Sequence, residues 1–491
     1  MSFEDTKQGD PEHIEAVPTS SRIDDMKDYE EFGYSPDEEK QLVRKIDLFL
    51  LPTIWLMYLL SYMDRTNIGN AKIAGMMEDL SLTSNEYSVA LVVFFVSYVV
   101  FEVPSNLVLS RTRPSRFLPI IMFLWGGITC CMAVIHNYHQ LVALRFVVGT
   151  FEAGFAPGIL LILSSWYKKN EQSKRFGIYI SAAVLSGAFG GILAGAITEG
   201  LDGAHGIAGW RWLFIVEGAA TCGWALISSC LLLDFPDTTK KFSPRERHIA
   251  VHRLAADNVT TQTAEDEQLG SAQALLQSIR NWRTWLMVVG YMVRTPDVSA
   301  STATGNRSTN SPRKSQVIVG SSTLSYFYPT LVAGLGYTSR MAQYMVVPIY
   351  AVAFLFVGLS AHLLDKHPHH RGLAIASWLA LATATSVAVT ILTNFTARYV
   401  LLIFMASGLW SSNALALSYA SSTFGRQPPR TRAVSLALVN ALGNLAQIYG
   451  AYLFPSADGP RYVMGFAVIS AMCVVGVCVY VGAHVVVRRW P

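Results

Sequence analysis

The stretch YLLSYMDRTN, residues 58–67, decides the fold, because a long apolar run here meets an adjacent acid and base. The apolar pattern covers 46–77, and a helix of that length is roughly 48 Å long against about 30 Å of hydrocarbon. Asp64 and Arg65 would then lie near the middle of a membrane, where each charge costs about 2.5 to 3.5 kcal/mol. The pair is therefore a candidate functional site. The alternative is a helix that ends at Met63 and leaves both charges in the headgroup layer.

The composition is that of a membrane protein. Of 491 residues, 52% are hydrophobic and only 15% are charged, whereas soluble domains carry about 25% charged residues. Basic residues are dispersed among loops, so no nucleic-acid partner is expected. The six cysteines lie in apolar runs without metal-type spacing. The sequence also lacks a nucleophile elbow, a phosphate loop and a metal-ligand cluster, so we expect neither an enzyme nor a cofactor.

Apolar runs divide the chain into two halves. We predict an all-α polytopic membrane protein with twelve transmembrane helices in two six-helix bundles, because six runs precede and six follow a polar stretch. The predicted parts are a disordered acidic cytoplasmic tail (1–45), a first bundle (46–233), a cytoplasmic connector (234–284), a second bundle (285–487) and a cytoplasmic end (488–491). Lys and Arg cluster in loops on the side of the N-terminus, which places both termini in the cytoplasm.

The seventh apolar run is interrupted by a polar, low-complexity insert at 293–316. Without the insert, the flanking fragments join into about 20 residues, the length that a spanning helix needs. Val293 requires a codon that begins with GT, and Gln316 can be encoded by CAG. We therefore hypothesise that the insert is a retained intron. The alternative is a genuine extramembrane loop, which would break the seventh helix and make transport doubtful.

A second charged motif lies in the fourth run. Arg145, Gly149 and Glu152 are spaced i, i+4 and i+7, so they share one helix face, with the two charges about 10 Å apart along the axis. The face therefore holds a cation, a gap for a close backbone approach and an anion. The alternative interpretation is a pair of packing charges that contact neighbouring helices.

These motifs together resemble the major facilitator superfamily, and within it the anion:cation symporter group. The matching segments are the DR-x-N of 64–67, the RxxxG of 145–149, FEVPSNL at 101–107, GWRWLFIVEG at 209–218 and SYFYPTLV at 325–332. The resemblance covers about 42–488 apart from the insert. It is best to the fungal allantoate and nicotinate permease branch, which implies the major facilitator fold.

The resemblance also implies roles for individual residues. Proton coupling is assigned to Asp64, Glu152 and Arg145. Substrate binding by Arg65 is implied in the same way. As further substrate-binding candidates, from their place in the sequence, we predict Asn67, Tyr58, Tyr326 and Asn413. For Tyr326 and Asn413 the alternative is a hydrogen bond between helices. The loop DKHPHHRG is similar to the basic loop signature of the superfamily, which implies a gate formed by Asp365 and Arg371. From its place at the cytoplasmic end of the second run, Glu102 is predicted to form a gate with the loop that contains Arg113, although that loop lacks the full signature. Electrostatics is compatible with these roles, because an anion enters a low-dielectric site only if a fixed cation is there to pair with it. A nearby ionised carboxylate competes for that cation.

The expected function is proton-coupled symport of a small organic anion, a carboxylate such as allantoate or nicotinate, by alternating access. The expected partners are this anion, protons and the lipid bilayer, and we expect a monomer in the plasma membrane. Two alternatives stay open. One is an exporter of an acidic secondary metabolite. The other is a nutrient sensor that binds its ligand without transporting it.

Overall fold

The computed structural model describes residues 33–109, 112–256, 271–285, 324–366, 370–423, 435 and 447–489. Every regular element in these ranges is helical. Ten of the described helices are long and apolar enough to cross a membrane. The predicted seventh run and the predicted eleventh run, at 433–454, lie largely outside the described residues. The first part of the tail and the whole insert at 293–316 also lie outside them.

The first helix, α1, runs over Pro36–Ala71. It continues through one π-helical turn, Lys72–Met76, into the short segment Met77–Asp79. The alternative of a helix that ends at Met63 is therefore wrong. Asp64 and Arg65 lie inside a continuous helix and are 4% and 8% exposed, so the bundle buries both charges.

α1 also begins earlier than predicted, because residues 36–45 are helical and do not belong to a disordered tail. Ser35 accepts a hydrogen bond from the Glu38 backbone, and the Glu38 side chain accepts one from the Ser35 backbone. Pro36 occupies the first helical position. A capping box followed by proline satisfies the free N–H groups of a helix start. A search for apolar runs misses this start because the turn is polar.

The remaining helices of the first half and the connector follow in chain order. They are α2 Ser84–Leu109, α3 Pro114–Cys131, α4 Tyr138–Glu152, α5 Phe155–Trp166, α6 Lys169–Gly200, α7 Gly209–Leu231, α8 Pro244–Ala256 and α9 Ser271–Arg280. α4 and α5 together form one span. Within this half, α1 packs against α6 and α7, α2 packs against α4, and α3 packs against α7.

The second half is built in the same way from packed helices. Its described helices are α10 Tyr328–Ala333, α11 Ser339–Lys366, α12 Arg371–Ile391, α13 Phe395–Thr423, α14 Gln447–Gly450 and α15 Val463–Arg489. α12 packs against both α13 and α15, and α11 packs against α13.

The two halves meet at the end of the molecule that carries the loops after α1 and α6. The Ser88 hydroxyl donates to the carbonyl of Ala451 at 2.7 Å, and Ser339 donates to the carbonyl of Ile73. α6 and α11 pack along a glycine stripe, Gly187, Gly191 and Gly195. A Cβ at Gly191 would lie 2.8 Å from the backbone oxygen of Gln343 on α11, and a Cβ at the other two glycines would overlap tyrosine rings of that helix. This end is therefore closed.

The connector does more than tether the halves, because α8 docks on the first bundle. Arg253 is fully buried, and its Nε donates to Glu39 Oε1 at 3.1 Å. A second ion pair joins Lys45 Nζ to Glu246 at 2.7 Å. Burial alone would raise the pKa of Glu246, but the hydrogen bonds from Lys45 and from the Ser243 backbone hold that pKa below its usual value. The helix is fixed by charges on α1.

Candidate functional site

The centre of the candidate site is a buried ion pair between α1 and α4. Arg65 Nε donates to Glu152 Oε1 at 2.6 Å, and the Ser61 hydroxyl donates to the same oxygen. Glu152 is fully buried, and its second oxygen has no hydrogen-bond partner in the described part of the chain. Ser61 and Arg65 are spaced i, i+4 on α1, so one helix face presents both donors to the carboxylate. Two groups predicted from different motifs thus form one unit.

Aromatic rings surround the Arg65 guanidinium on its other sides. Its central carbon lies 4.7 Å from the ring centroid of Tyr98, 5.2 Å from that of Tyr62 and 5.7 Å from that of Phe94. Ring faces attract a cation without neutralising it. In the described part of the chain, Glu152 is the only acid that forms an ion pair with the Arg65 guanidinium.

Asp64 faces away from Arg65, although the two are adjacent in sequence. Its Oδ2 accepts hydrogen bonds from Trp125 Nε1 at 3.1 Å and from the Thr221 hydroxyl at 2.8 Å. Successive residues on a helix point about 100° apart. Asp64 therefore lies between α3 and α7, inside the first bundle. Sequence reasoning missed Trp125 and Thr221, since both stand in runs that are otherwise plainly apolar.

Arg145 is 2% exposed and forms no ion pair with any residue that the structure describes. Its guanidinium carbon lies 5.9 Å from the ring centroid of Phe94. Two of its nitrogens, Nε and Nη2, are buried without partners. The sequence predicted Arg145 as a charge partner in the proton-coupling set, but in this arrangement Glu152 pairs with Arg65 instead. An unpaired guanidinium thus lies beside a paired one.

Gly149 explains how α4 approaches α2 closely enough to build this site. A Cβ at this position would overlap the Phe94 carbonyl oxygen and the Ser97 hydroxyl on α2. The predicted close backbone approach is confirmed. It places the α4 charges against the aromatic face of α2.

The other predicted substrate residues occupy different positions around the pair. Asn67 is fully buried, and both polar atoms of its amide lack described partners. Tyr58 stacks on Tyr179, with ring centroids 3.9 Å apart. Tyr326, from the second half, is buried, and its ring packs edge to face on Phe95 of α2 with centroids 6.0 Å apart. Asn413 is half-buried on α13.

The structure describes the side chains of three of the four predicted gating residues, on three different helices. Glu102 is half-buried on α2, and one of its oxygens has no described partner. Arg113 is exposed at the start of α3, and Arg371 is half-buried at the start of α12. The side chain of Asp365 lies outside the described residues. The predicted pairing of Asp365 with Arg371 therefore stays a prediction.

The chemistry of this arrangement is ionic. Arg65 and Arg145 supply two buried cations against one carboxylate, Glu152, while Asp64 is turned toward other helices. Such a group can accept an anion from solution if the carboxylate loses its charge. Among the described residues, no group of His, Cys, Asp and Glu could hold a metal ion.

Comparisons with known proteins identify the family. Residues 54–451 match the Major Facilitator Superfamily. The chain is 34% identical over 439 residues to the MFS transporter prlL of a fungal species, which covers 87% of this chain and 82% of that protein. It is 27% identical to the pantothenate transporter liz1 of Schizosaccharomyces pombe, covering 93% of this chain and 83% of that protein.

The fold is also similar to that of solved transporters. A bacterial homolog of the human lysosomal transporter Spinster, in an inward-facing and unoccupied conformation, superimposes with a TM-score of 0.62. It is 16% identical, and the match covers 92% of this chain and 96% of that one. The buried charges, the two packed halves and these matches lead to one conclusion: the chain belongs to the major facilitator superfamily of multi-pass membrane transporters.

Proposed function

We propose that the chain is a secondary active transporter that carries a small organic anion together with protons by alternating access. The observation that carries this proposal is the buried Arg65 and Glu152 ion pair beside an unpaired Arg145. We place the protein in the anion:cation symporter group, in the allantoate and nicotinate permease-like branch.

The charges around Arg65 favour an anionic substrate. Two guanidinium groups face one carboxylate, and a buried cation without a counter-ion is costly. A substrate carboxylate would supply the missing charge and could bind Arg65 through two parallel hydrogen bonds. Tyr326 brings the second half against α1 one turn after Arg65, because a Cβ at Gly69 would overlap the Tyr326 backbone oxygen. The relative named as a pantothenate transporter supports this class, because pantothenate is a carboxylate.

Proton coupling follows from competition for Arg65. While Glu152 is ionised, it occupies the guanidinium that the substrate needs. Protonation of Glu152 removes that competitor, so a proton and an anion bind more strongly together than alone. By linkage, each must strengthen the binding of the other by the same factor. Asp64 is a second candidate proton site, held within the first bundle by Trp125 and Thr221.

The membrane arrangement that we propose has twelve helices with both termini in the cytoplasm of a monomer at the plasma membrane. Support comes from the loops, since the basic segments 168–175 and 240–247 lie at the end opposite to the contacts between the halves. The closed end would then face outward, and the structure would be open toward the cytoplasm. Alternating access requires that the halves separate at one end while they close at the other.

Uptake of labelled nicotinate, pantothenate and allantoate into cells that express the chain tests the proposal, in acidic and neutral medium and with an uncoupler. We expect accumulation of at least one acid, stronger in acidic medium and abolished by the uncoupler. Arg65→Gln should abolish uptake. The matched control is Arg245→Gln, which removes a guanidinium from the half-exposed pair with Glu38, away from the contacts between the halves. Wild-type uptake by Arg65→Gln, or accumulation that ignores both pH and uncoupler, would refute the proposal.

A further inference from the structure

One face of α1 carries a second cation toward the other half of the protein. Arg65, Gly69 and Lys72 are spaced i, i+4 and i+7, so they share a face, with the two charges about 10 Å apart along the axis. A Cβ at Gly69 would lie 2.5 Å from the backbone oxygen of Tyr326 in the second half. This face of α1 therefore meets the second half directly.

Lys72 lies at the closed end between rings from both halves. Its side chain is buried, with Nζ 4.7 Å from the ring centroid of Tyr87 and 5.5 Å from that of Phe327. Among the residues that the structure describes, no carboxylate lies within ion-pair distance of this ammonium. Aromatic faces stabilise a cation but leave its charge uncompensated. Lys72 is thus a buried cation that lacks a counter-ion.

Tyr87 connects Lys72 to the central site. The residue is 1% exposed, and its hydroxyl has no hydrogen-bond partner in the described part of the chain. Tyr87 carries Lys72 on its ring face. Phe94, spaced i+7 from Tyr87 on the same face of α2, lies 5.9 Å from the guanidinium carbon of Arg145. Two unpaired cations and one unpartnered hydroxyl therefore lie along one face of α2. Cations and a hydroxyl are the donors that a carboxylate requires.

We propose that Lys72, Tyr87 and Arg145 form an outer carboxylate-binding subsite, separate from the Arg65 and Glu152 pair. This inference rests on the proposed function and deepens it. In the closed arrangement Phe327 covers Lys72 from the second half. Separation of the halves at this end withdraws that ring and exposes the ammonium to the outer solution. The substrate carboxylate then binds Lys72 first and passes along the α1 face to Arg65.

The test is the kinetics of initial uptake for the carboxylate that the wild-type chain accumulates, chosen from nicotinate, pantothenate and allantoate. Lys72→Met keeps the length and the apolar stem of the side chain but removes the charge, and Lys72→Arg keeps the charge. For Lys72→Met we expect KM to rise about tenfold with little change in Vmax, whereas Lys72→Arg stays near the wild type. Added salt should raise KM of the wild type but not of Lys72→Met, because salt screens an exposed charge.

Tyr87→Phe provides a second variant that removes only the hydroxyl and preserves the packing. We expect its KM to rise about threefold, in the range of one lost hydrogen bond. A wild-type KM in both variants would overturn the outer subsite and leave the proposed function intact. A lower Vmax with unchanged KM would also overturn it, since Lys72 would then only hold the closed end together. If the wild type takes up none of the acids, both the proposed function and the subsite fail.

Discussion

Replacing Glu152 by Gln tests the coupling of proton and anion at its centre. Glutamine keeps an oxygen that can accept from Arg65 and Ser61, but it carries no charge. For charge centres about 4 Å apart and an effective dielectric constant of about 20, the lost attraction is about 4 kcal/mol. If only a third of this energy opposes substrate binding, the anion binds the variant about tenfold more tightly than the ionised wild type.

The assay is accumulation of the labelled acid in proteoliposomes whose interior is more alkaline than the medium by one pH unit. For one proton per monoanion, that gradient is worth about 1.4 kcal/mol and supports about tenfold accumulation. We expect the wild type to reach this ratio. Glu152→Gln should equalise the inner and outer concentrations, exchange labelled for unlabelled anion, and bind the anion with an affinity that no longer depends on pH.

The matched control is Glu38→Gln, the same chemical change in the half-exposed ion pair with Arg245, which does not join the two bundles. This variant should accumulate the acid like the wild type. About tenfold accumulation by Glu152→Gln would show that the coupling carboxylate lies elsewhere. An anion affinity that still falls with rising pH in the variant would contradict the competition between Glu152 and substrate.

Three further predictions concern packing, the connector and the insert. Gly149→Ala should lower the melting temperature in detergent, with a cost of about 1 to 3 kcal/mol from overpacking, whereas Gly127→Ala adds a methyl in open space; equal melting temperatures would contradict the close approach. Arg253→Met removes the guanidinium that bridges Glu39 and Glu171, and Glu39 keeps its ion pair with Lys168. Losing one partner of a buried ion pair costs up to about 3 to 5 kcal/mol, so thermal unfolding should shift more than for Arg245→Met, whose ion pair is half-exposed; equal shifts would contradict the docking of α8. Sequencing of mature transcripts should find messages that lack the codons of 293–316, and uniform retention would refute the retained intron.

The sequence predicted the membrane class, most of the helices and the charged residues of the site, because each rests on local pattern. The sequence could not predict which of these charged residues form ion pairs. Arg145 and Glu152 share a helix face in sequence, yet Glu152 pairs with Arg65 from another helix. Such a choice depends on the rotation and depth of packed helices, which no spacing within one helix encodes. Ser61 could have been found, since it stands one turn before Arg65.

The start of α1 and the orientation of Asp64 also differ in how far the sequence could predict them. Its polar start could be seen in the capping residues Ser35 and Glu38, but a search for apolar runs passes over them. The orientation of Asp64 had no such local signal. Its partners Trp125 and Thr221 lie on two other helices, and their polar atoms matter only because the tertiary structure brings them to one carboxylate.

The glycine stripe on α6 has a mechanical meaning for a protein whose halves must rock. Interdigitated side chains would hinder α6 and α11 from sliding past each other. At Gly191 no side chain separates the backbone of α6 from that of α11, so the two helices can move more easily. We expect a larger residue at Gly191 to hold α6 and α11 apart at the end where the halves now meet. That change would favour the outward-open state of our proposal over the inward-open state. The size of the side chain at this one position would then determine on which side of the membrane the transporter binds its substrate.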